Sequence, residues 1–293
     1  MGQTMKISHH SGMFNIYPVT EVIPRLAALG YEGVELNAEL APWTKPHVTP
    51  ETSPNERADI RQLARDHGIE ISSISAHVSL VDADRQARQR NLVFVKGCID
   101  LASDFGTDVV HGLAGAPPVG VAREEAWEWL LEGVADCTRY AAERGVKFGM
   151  EAVAFCLVAN MADLSKLLAD LGEEKLYVNF DPSHLPVVDE DPAQWVRTLG
   201  SRIVHVDIKD ARIYGPNEEK VSFSGVPLDF ECPPLGRGVI DFEEMVGALK
   251  EIGYQGFLSV EYAAHYFGYH EDPWDRWKVA AESKHFMDNV LSR

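Results

Sequence analysis

The stretch Phe105-Gly106-Thr107-Asp108-Val109-Val110-His111 reads as one phrase: the end of a helix, a glycine, a short β-type run and an ionisable residue. Glycine just after a helix takes the left-handed C-cap at no steric cost, and Val109 and Val110 suit a buried strand. Working outward, the same phrase recurs six times. Upstream stand LGYEGVEL, ending at Leu36, and HGIEISSISAH, ending at His77. Downstream come RGVKFGME to Glu151, LGEEKLYVNFD to Asp181, LGSRIVHV containing His205, and IGYQGFLSVE to Glu261. An eighth strand, with no helix before it, opens at Lys6-Ile7-Ser8-His9. From His9 to Glu261 the chain runs 252 residues in seven intervals of 36 on average, which is one strand, one helix and two short loops.

Eight alternating units call for a parallel sheet, and closure into a barrel removes its edges. The expected fold is therefore α/β, a (β/α)8 TIM barrel, as a single domain over residues 1–293. A doubly wound sheet would want a glycine-rich phosphate turn after the first strand, and His9-His10-Ser11-Gly12-Met13 is not one. Two stretches exceed ordinary loops: residues 38–55, with Pro42, Pro46, Pro50 and Pro54, and residues 211–238. Each follows a strand, so each is expected at the carboxyl face, where barrel enzymes keep their sites.

Composition narrows the partners. The chain has 27 Lys and Arg against 45 Asp and Glu, a net charge of −18. That balance argues against bulk nucleic acid or an anionic membrane surface. No apolar run reaches the roughly 18 residues of a membrane span. Met1 to Ile7 shows no secretory apolar region, and Lys6 stands where a myristoylation motif wants Ser or Thr. Cys98, Cys137, Cys156 and Cys232 form no C-x-x-C pair, so free thiols and a cytoplasmic chain are expected.

The phrase ends place His9, Glu35, His77, His111, Glu151, Asp181, His205 and Glu261 in one expected ring at the barrel mouth. Converging ionisable groups are costly to bury without a counter-ion, and a divalent cation supplies one. Glu151, Asp181, His205 and Glu261 come from four consecutive strands. Three carboxylates and one imidazole favour Mn²⁺, Mg²⁺ or Co²⁺, with Zn²⁺ also compatible. Taken singly, Asp181 reads equally as a turn residue before Pro182, and His205 as a core histidine.

NFDPSH at Asn179 to His184, HVDIKD at His205 to Asp210, GMEA around Glu151, SVEY around Glu261 and LGRGVIDF at Leu235 to Phe242 resemble the xylose-isomerase-like barrel superfamily. More narrowly they resemble its sugar isomerase and epimerase branch. The resemblance implies a metal, with Mn²⁺ ranked first, on Glu151, Asp181, His205 and Glu261. It implies Glu151 and Glu261 as acid and base on opposite faces of an enediolate. It also implies His184 as a substrate contact. His111, His77, Glu35, Asp207 and Arg212 complete the expected substrate shell, while His9 and His10 receive no role. The expected partner is a small-molecule carbohydrate, with a homo-oligomer or a second subunit as further expectations.

Departures from the ketose 3-epimerase pattern keep other readings open. Leu157 stands where those enzymes carry a further glutamate, and Ala211, followed by Arg212, where they carry an arginine. A related branch eliminates the aglycone of 3-keto-glycosides, so a lyase or deglycosylase is the alternative. Phe223, Val226, Leu228 and Phe230, with Tyr262, Tyr266, Phe267, Tyr269, Trp274 and Trp277, would line an aglycone cleft or simply pack the loops. An apurinic-site endonuclease is more remote, because Phe230-Glu231-Cys232-Pro233-Pro234 lacks that group's Asp-x-His. A non-catalytic barrel would have no use for two glutamates flanking a metal.

Overall fold

The computed structural model describes residues 5–40, 44–172, 175–220, 222–223, 226–227, 229–262 and 275–293. The barrel strands are β1 (Lys6–His10), β2 (Gly33–Asn37), β3 (Glu70–Ser75), β4 (Val109–Leu113), β5 (Lys147–Glu151), β6 (Tyr177–Phe180), β7 (Ile203–Ile208) and β12 (Phe257–Val260). All pair in parallel, and β1 closes the ring by pairing with both β2 and β12. Helices α1 (Val19–Ala28), α2 (Pro54–Asp66), α3 (Arg85–Phe105), α4 (Arg123–Ala142), α5 (Met161–Leu171), α6 (Pro192–Leu199), α7 (Phe242–Glu251) and α8 (Arg276–Leu291) fill the gaps. The expected (β/α)8 barrel is the observed one.

The junction phrase works as its chemistry requires. Gly106 ends α3 at φ 83°, a left-handed cap whose N–H reaches Ala102 O. The other six phrase glycines also have positive φ. Helix starts carry side-chain caps: Ser53 and Glu56 form a reciprocal capping box on α2, and Asp191, Asp241 and Asp275 cap α6, α7 and α8. Such a cap contributes about 1 kcal/mol.

The strands bury both faces. On β7, Val206 and Ile208 join the apolar layer under the helices, and the alternate residues His205 and Asp207 point into the barrel. Trp195, Val196 and Leu199 of α6 join the same layer, each such side chain stabilising by roughly 1.5–3 kcal/mol.

Both long connections lie after strands, β2 and β7. In the second, β8 (Arg212–Ile213) pairs antiparallel with β11 (Phe230–Glu231), and β9 (Ser222–Phe223) with β10 (Val226–Pro227). Asp210 ties this excursion to the barrel. Its carboxylate accepts from the backbone N–H groups of Ala211, Gly236, Gly238 and Ile240 at 2.8–3.3 Å.

Candidate active site

The expected single ring of ionisable residues divides into two levels. Glu35, His111 and His205 are not at strand ends. Each is the third residue of its strand, so its side chain lies deeper in the barrel. Glu151 ends β5, Asp181 and Glu261 directly follow β6 and β12, and His77 lies two residues past β3.

The lower level is closed on itself. Glu35, fully buried, accepts from His111 Nε2 at 2.6 Å and from His205 Nε2 at 2.8 Å. His205 also meets Ser73 Oγ at 3.2 Å and stacks on His111 with ring centroids 5.3 Å apart. Burial pushes the Glu35 carboxyl up, but His205, His111 and His10 outweigh it and hold the group well below the usual range. His9, beside Phe14 and Tyr31, is lowered to about 4 by burial.

The upper level is arranged differently. Glu151, Asp181 and His184 offer donor atoms within 4.8 Å of one another. His184 Nε2 lies 3.5 Å from Asp181 Oδ2 and 3.7 Å from Glu151 Oε1, beyond good hydrogen bonds but suited to sharing an ion. Asp181 Oδ1 caps the short turn Pro182–His184 by accepting from Ser183 N, which orients the carboxylate. Its Oδ2 and His184 Nδ1 have no hydrogen-bond partner. The Lys209 ammonium lies 2.8 Å from that Oδ2 as an ion pair, and hard oxygens with one imidazole suit a divalent cation in its place. The residues present therefore fit the implied metal.

His205 is not brought to Glu151, Asp181 and Glu261; its partners are Glu35 and Ser73. The β7 residue that accompanies those carboxylates is Asp207. Its Oδ2 accepts from Asn179 Nδ2 at 2.7 Å, and its Oδ1 is unpartnered. Burial, then the charges of Glu35, Glu261, Glu151 and Asp181, push the Asp207 carboxyl well up. Asn179 Nδ2 also meets His111 Nδ1 at 3.0 Å and Glu151 Oε2 at 3.2 Å, so one amide joins the two levels.

Two further residues complete the site. His77 Nε2 is 3.2 Å from Glu151 Oε2 and 3.2 Å from His111 Nδ1. Burial opposes its charge, yet the hydrogen bond and charge of Glu151 raise His77 to about 9, so it is an imidazolium at neutral pH. Glu151 is correspondingly held far down: His77, Lys209 and His184 overcome the burial that would raise it. Glu261 goes the other way, up to about 7, through burial offset by Lys209 and reinforced by Asp181 and Glu151. Lys209 Nζ lies 2.8 Å from Asp181 Oδ2 and 2.8 Å from Glu261 Oε2, the former an ion pair without hydrogen-bond direction. Lys209 and Asn179 are not among the residues expected at the site from the sequence. Both stand inside quoted motifs, and the two-residue alternation from His205 through Asp207 was the signal for Lys209.

The expected outer contacts are distributed unevenly. Phe230 and Phe155 approach the His184 ring edge-on, at 6.0 and 6.1 Å between centroids. Arg212 pairs with Glu231 at 2.6 Å and Glu218 at 3.2 Å within the excursion. Tyr262 is buried, and Trp277 stacks on Phe14 at 4.0 Å as a packing residue. Pro42, Leu228, Tyr266, Phe267, Tyr269 and Trp274 lie outside the described residues, as do the side chains of Phe223 and Val226. All four cysteines are buried free thiols. No helix among the described residues is long and apolar enough to cross a membrane.

Comparison with known proteins bears on the same elements. The chain is 32% identical over 142 residues to the inosose dehydratase of Clostridium botulinum and 32% over 146 residues to that of Geobacillus thermodenitrificans, each match covering 47% of both chains. It thus spans about half the length of the curated relatives it matches. The fold is that of an L-ribulose 3-epimerase (TM-score 0.76, 19% identity, 99% of this chain and 95% of the other). It is also that of a D-tagatose 3-epimerase-like protein (TM-score 0.77, 22%, 98% and 97%) and of an IolI protein with a bound zinc atom (TM-score 0.76, 16%, 98% and 98%). A family model for the xylose isomerase-like TIM barrel matches residues 23–289. Because that span takes in seven of the eight barrel strands and every upper-level residue, the chain belongs to the xylose isomerase-like TIM barrel family.

Proposed function

We propose that this protein is a divalent-metal-assisted lyase that dehydrates a cyclic keto-polyol of the inosose class. The carrying observation is the unequal setting of the two glutamates: Glu151 lies 3.2 Å from the His77 imidazole, a ready proton donor, while Glu261 is paired with the Lys209 ammonium at 2.8 Å. Elimination of water needs a base at carbon and an acid at the departing hydroxyl, whereas epimerisation needs a base on one face of the enediolate and an acid on the other. The half-length likeness to inosose dehydratases supports the same reading.

In this reading Glu261, when ionised, removes the proton from carbon next to the substrate carbonyl. A carbon–carbon double bond forms as the carbon–oxygen bond at the β position breaks. His77 gives its proton to the departing hydroxyl, which leaves as water, and Glu151 holds the imidazolium in place. The substrate loses one H₂O with no net redox change. A divalent ion on Glu151, Asp181, Glu261 and His184, with Mn²⁺ ranked ahead of Mg²⁺, Co²⁺ and Zn²⁺, would supply positive charge to the oxygen that becomes negative. Phe155 and Phe230 would give the sugar ring an apolar wall. The partner is a small-molecule carbohydrate in a cytoplasmic reaction with neither nucleic acid nor membrane.

The test is to incubate Mn²⁺-loaded protein with an inosose in ²H₂O and follow the NMR spectrum. Loss of water with an enol product supports the dehydratase. Deuterium at carbon with inverted configuration and an unchanged formula instead makes it an epimerase, the second reading, in which Glu151 and Glu261 face one another across the enediolate. No exchange and no product from inososes or free ketoses defeats both.

A further inference from the structure

Among the described residues, Lys209 is the one ammonium of the upper level. It stands just past β7, and β7 lies between β6 and β12 in the barrel order. The carboxylates that its Nζ touches come from those two neighbours: Asp181 follows β6, and Glu261 follows β12, each at 2.8 Å. The backbone register enforces this placement. Ser259 is opposite Asp207 and Val260 opposite Ile208, and the ladder continues through Glu261 N to Ile208 O at 3.0 Å. Glu261 and Lys209 therefore leave the barrel side by side. The Lys209 side chain is only 7% exposed, so its charge is neutralised by these carboxylates and not by water.

A divalent ion needs the same oxygens, at roughly 2.0–2.6 Å. An ammonium already 2.8 Å from both would then sit within a few ångströms of a doubly charged ion, and like charges at that range repel strongly in a buried site. Without either cation, Asp181 and Glu261 would be left as neighbouring buried carboxylates with no counter-charge between them, which is costly. We infer that Lys209 is a built-in stand-in for the metal: its ammonium holds the Asp181 and Glu261 carboxylates together in the metal-free protein and is displaced when a divalent ion enters. This rests on the metal-binding part of the proposed function. Lys209 is a positioning residue, and its signature is that removing it strengthens metal binding while weakening the metal-free fold. A merely structural lysine would, on removal, weaken both.

The experiment compares the wild-type chain with Lys209→Met and Lys209→Gln, each stripped by a chelator. Mn²⁺ and Zn²⁺ binding is measured by calorimetry, and melting temperature with and without the ion. The expected result is that both variants bind Mn²⁺ about tenfold or more tightly than wild type, while their metal-free forms melt lower. Wild type that binds with variants that bind equally or more weakly overturns the role of Lys209 and leaves the metal reading standing. Failure of every protein to bind either ion defeats the metal reading and this inference together. Should the variants fail to fold, amine labelling of the wild type decides. Lys209 should be protected from acetylation without metal and labelled with Mn²⁺, as read by mass spectrometry, and equal protection in both states overturns the inference.

Discussion

The two levels of polar groups inside this barrel use similar residues to opposite ends. In the lower one, Glu35, His111 and His205 make direct hydrogen bonds of 2.6 and 2.8 Å, and both Glu35 oxygens are paired. In the upper one, His184 stands 3.5 Å from Asp181 and 3.7 Å from Glu151, and Asp181 Oδ2 is held by the Lys209 ammonium at 2.8 Å without a directed hydrogen bond. A buried carboxylate surrounded by donors is a structural element, because its lone pairs are spent within the fold. Carboxylates held close by an ammonium that can be displaced are able to turn their lone pairs to an ion that arrives. The difference teaches that a count of His and Glu in a barrel does not locate a site; their mutual distances do.

The largest expected effect breaks the upper level. Glu261→Gln should lower turnover by about 10²–10⁴-fold, the usual contribution of a positioned general base. Its melting temperature without metal should change little, since the Lys209–Asp181 pair remains. Metal content has to be measured alongside, because Glu261 is also a proposed ligand. Near-normal turnover in a variant that keeps its metal would remove Glu261 from the chemistry.

The counterpart in the lower level is Glu35→Gln. Two imidazole N–H groups lose their charged acceptor in a fully buried place, so unfolding free energy should fall by about 3–5 kcal/mol. Urea denaturation of the metal-free protein measures it. Divalent-ion affinity of the folded fraction should stay near wild type. A large loss of affinity with unchanged stability would reverse the assignments of the two levels.

Most of the fold was legible because the junction phrase carries its own stereochemistry. Gly106 and its six counterparts each needed positive φ, and a β-type run began two to five residues later. The membership of the polar set was legible for the same reason, since it follows the strands. Depth was not. Alternation puts His205, Asp207 and Lys209 on one face of β7, but which of them reaches the mouth depends on strand tilt and register. The register shift between Val178 and Asn179, opposite Ile203 and His205, is one local irregularity that no spacing in the sequence announces. Hence His205 was expected at the mouth and lies one level down, with Asp207 and Lys209 above it.

Acidification sharpens the comparison from the lower side. His9 is fully buried, with a folded pKa of about 4 against an ordinary 6.5. Between those values the unfolded chain binds a proton that the folded chain does not, so stability is intact above pH 6.5 and falls as pH drops toward 4. The linkage amounts to about 3 kcal/mol once pH reaches 4. A His9→Phe variant, apolar beside Phe14 and Tyr31, should lose less stability than wild type across that interval in parallel urea titrations. Identical pH dependence would mean that His9 is protonated inside the fold.

The smallest expected effect tests the rim of the upper level. A Cβ at Gly238 would stand 2.1 Å from Asp210 Oδ1 and 2.2 Å from Ala211 O. Neither neighbour yields cheaply: Asp210 is held by four backbone N–H groups, and Ala211 O accepts from Val239 N at 2.8 Å. Gly238→Ala must therefore spread the clasp between Asp210 and residues 236–240, at a cost of about 1–3 kcal/mol typical of overpacking. The clasp closes the excursion that carries Phe230 to His184, so the variant should also raise KM more than it lowers kcat. Gly238→Ala with unchanged KM but reduced stability would confine the clasp to holding the loop. An unchanged melting temperature would show that the loop moves freely on the barrel and that the lining of the mouth by Phe230 is not fixed by Asp210.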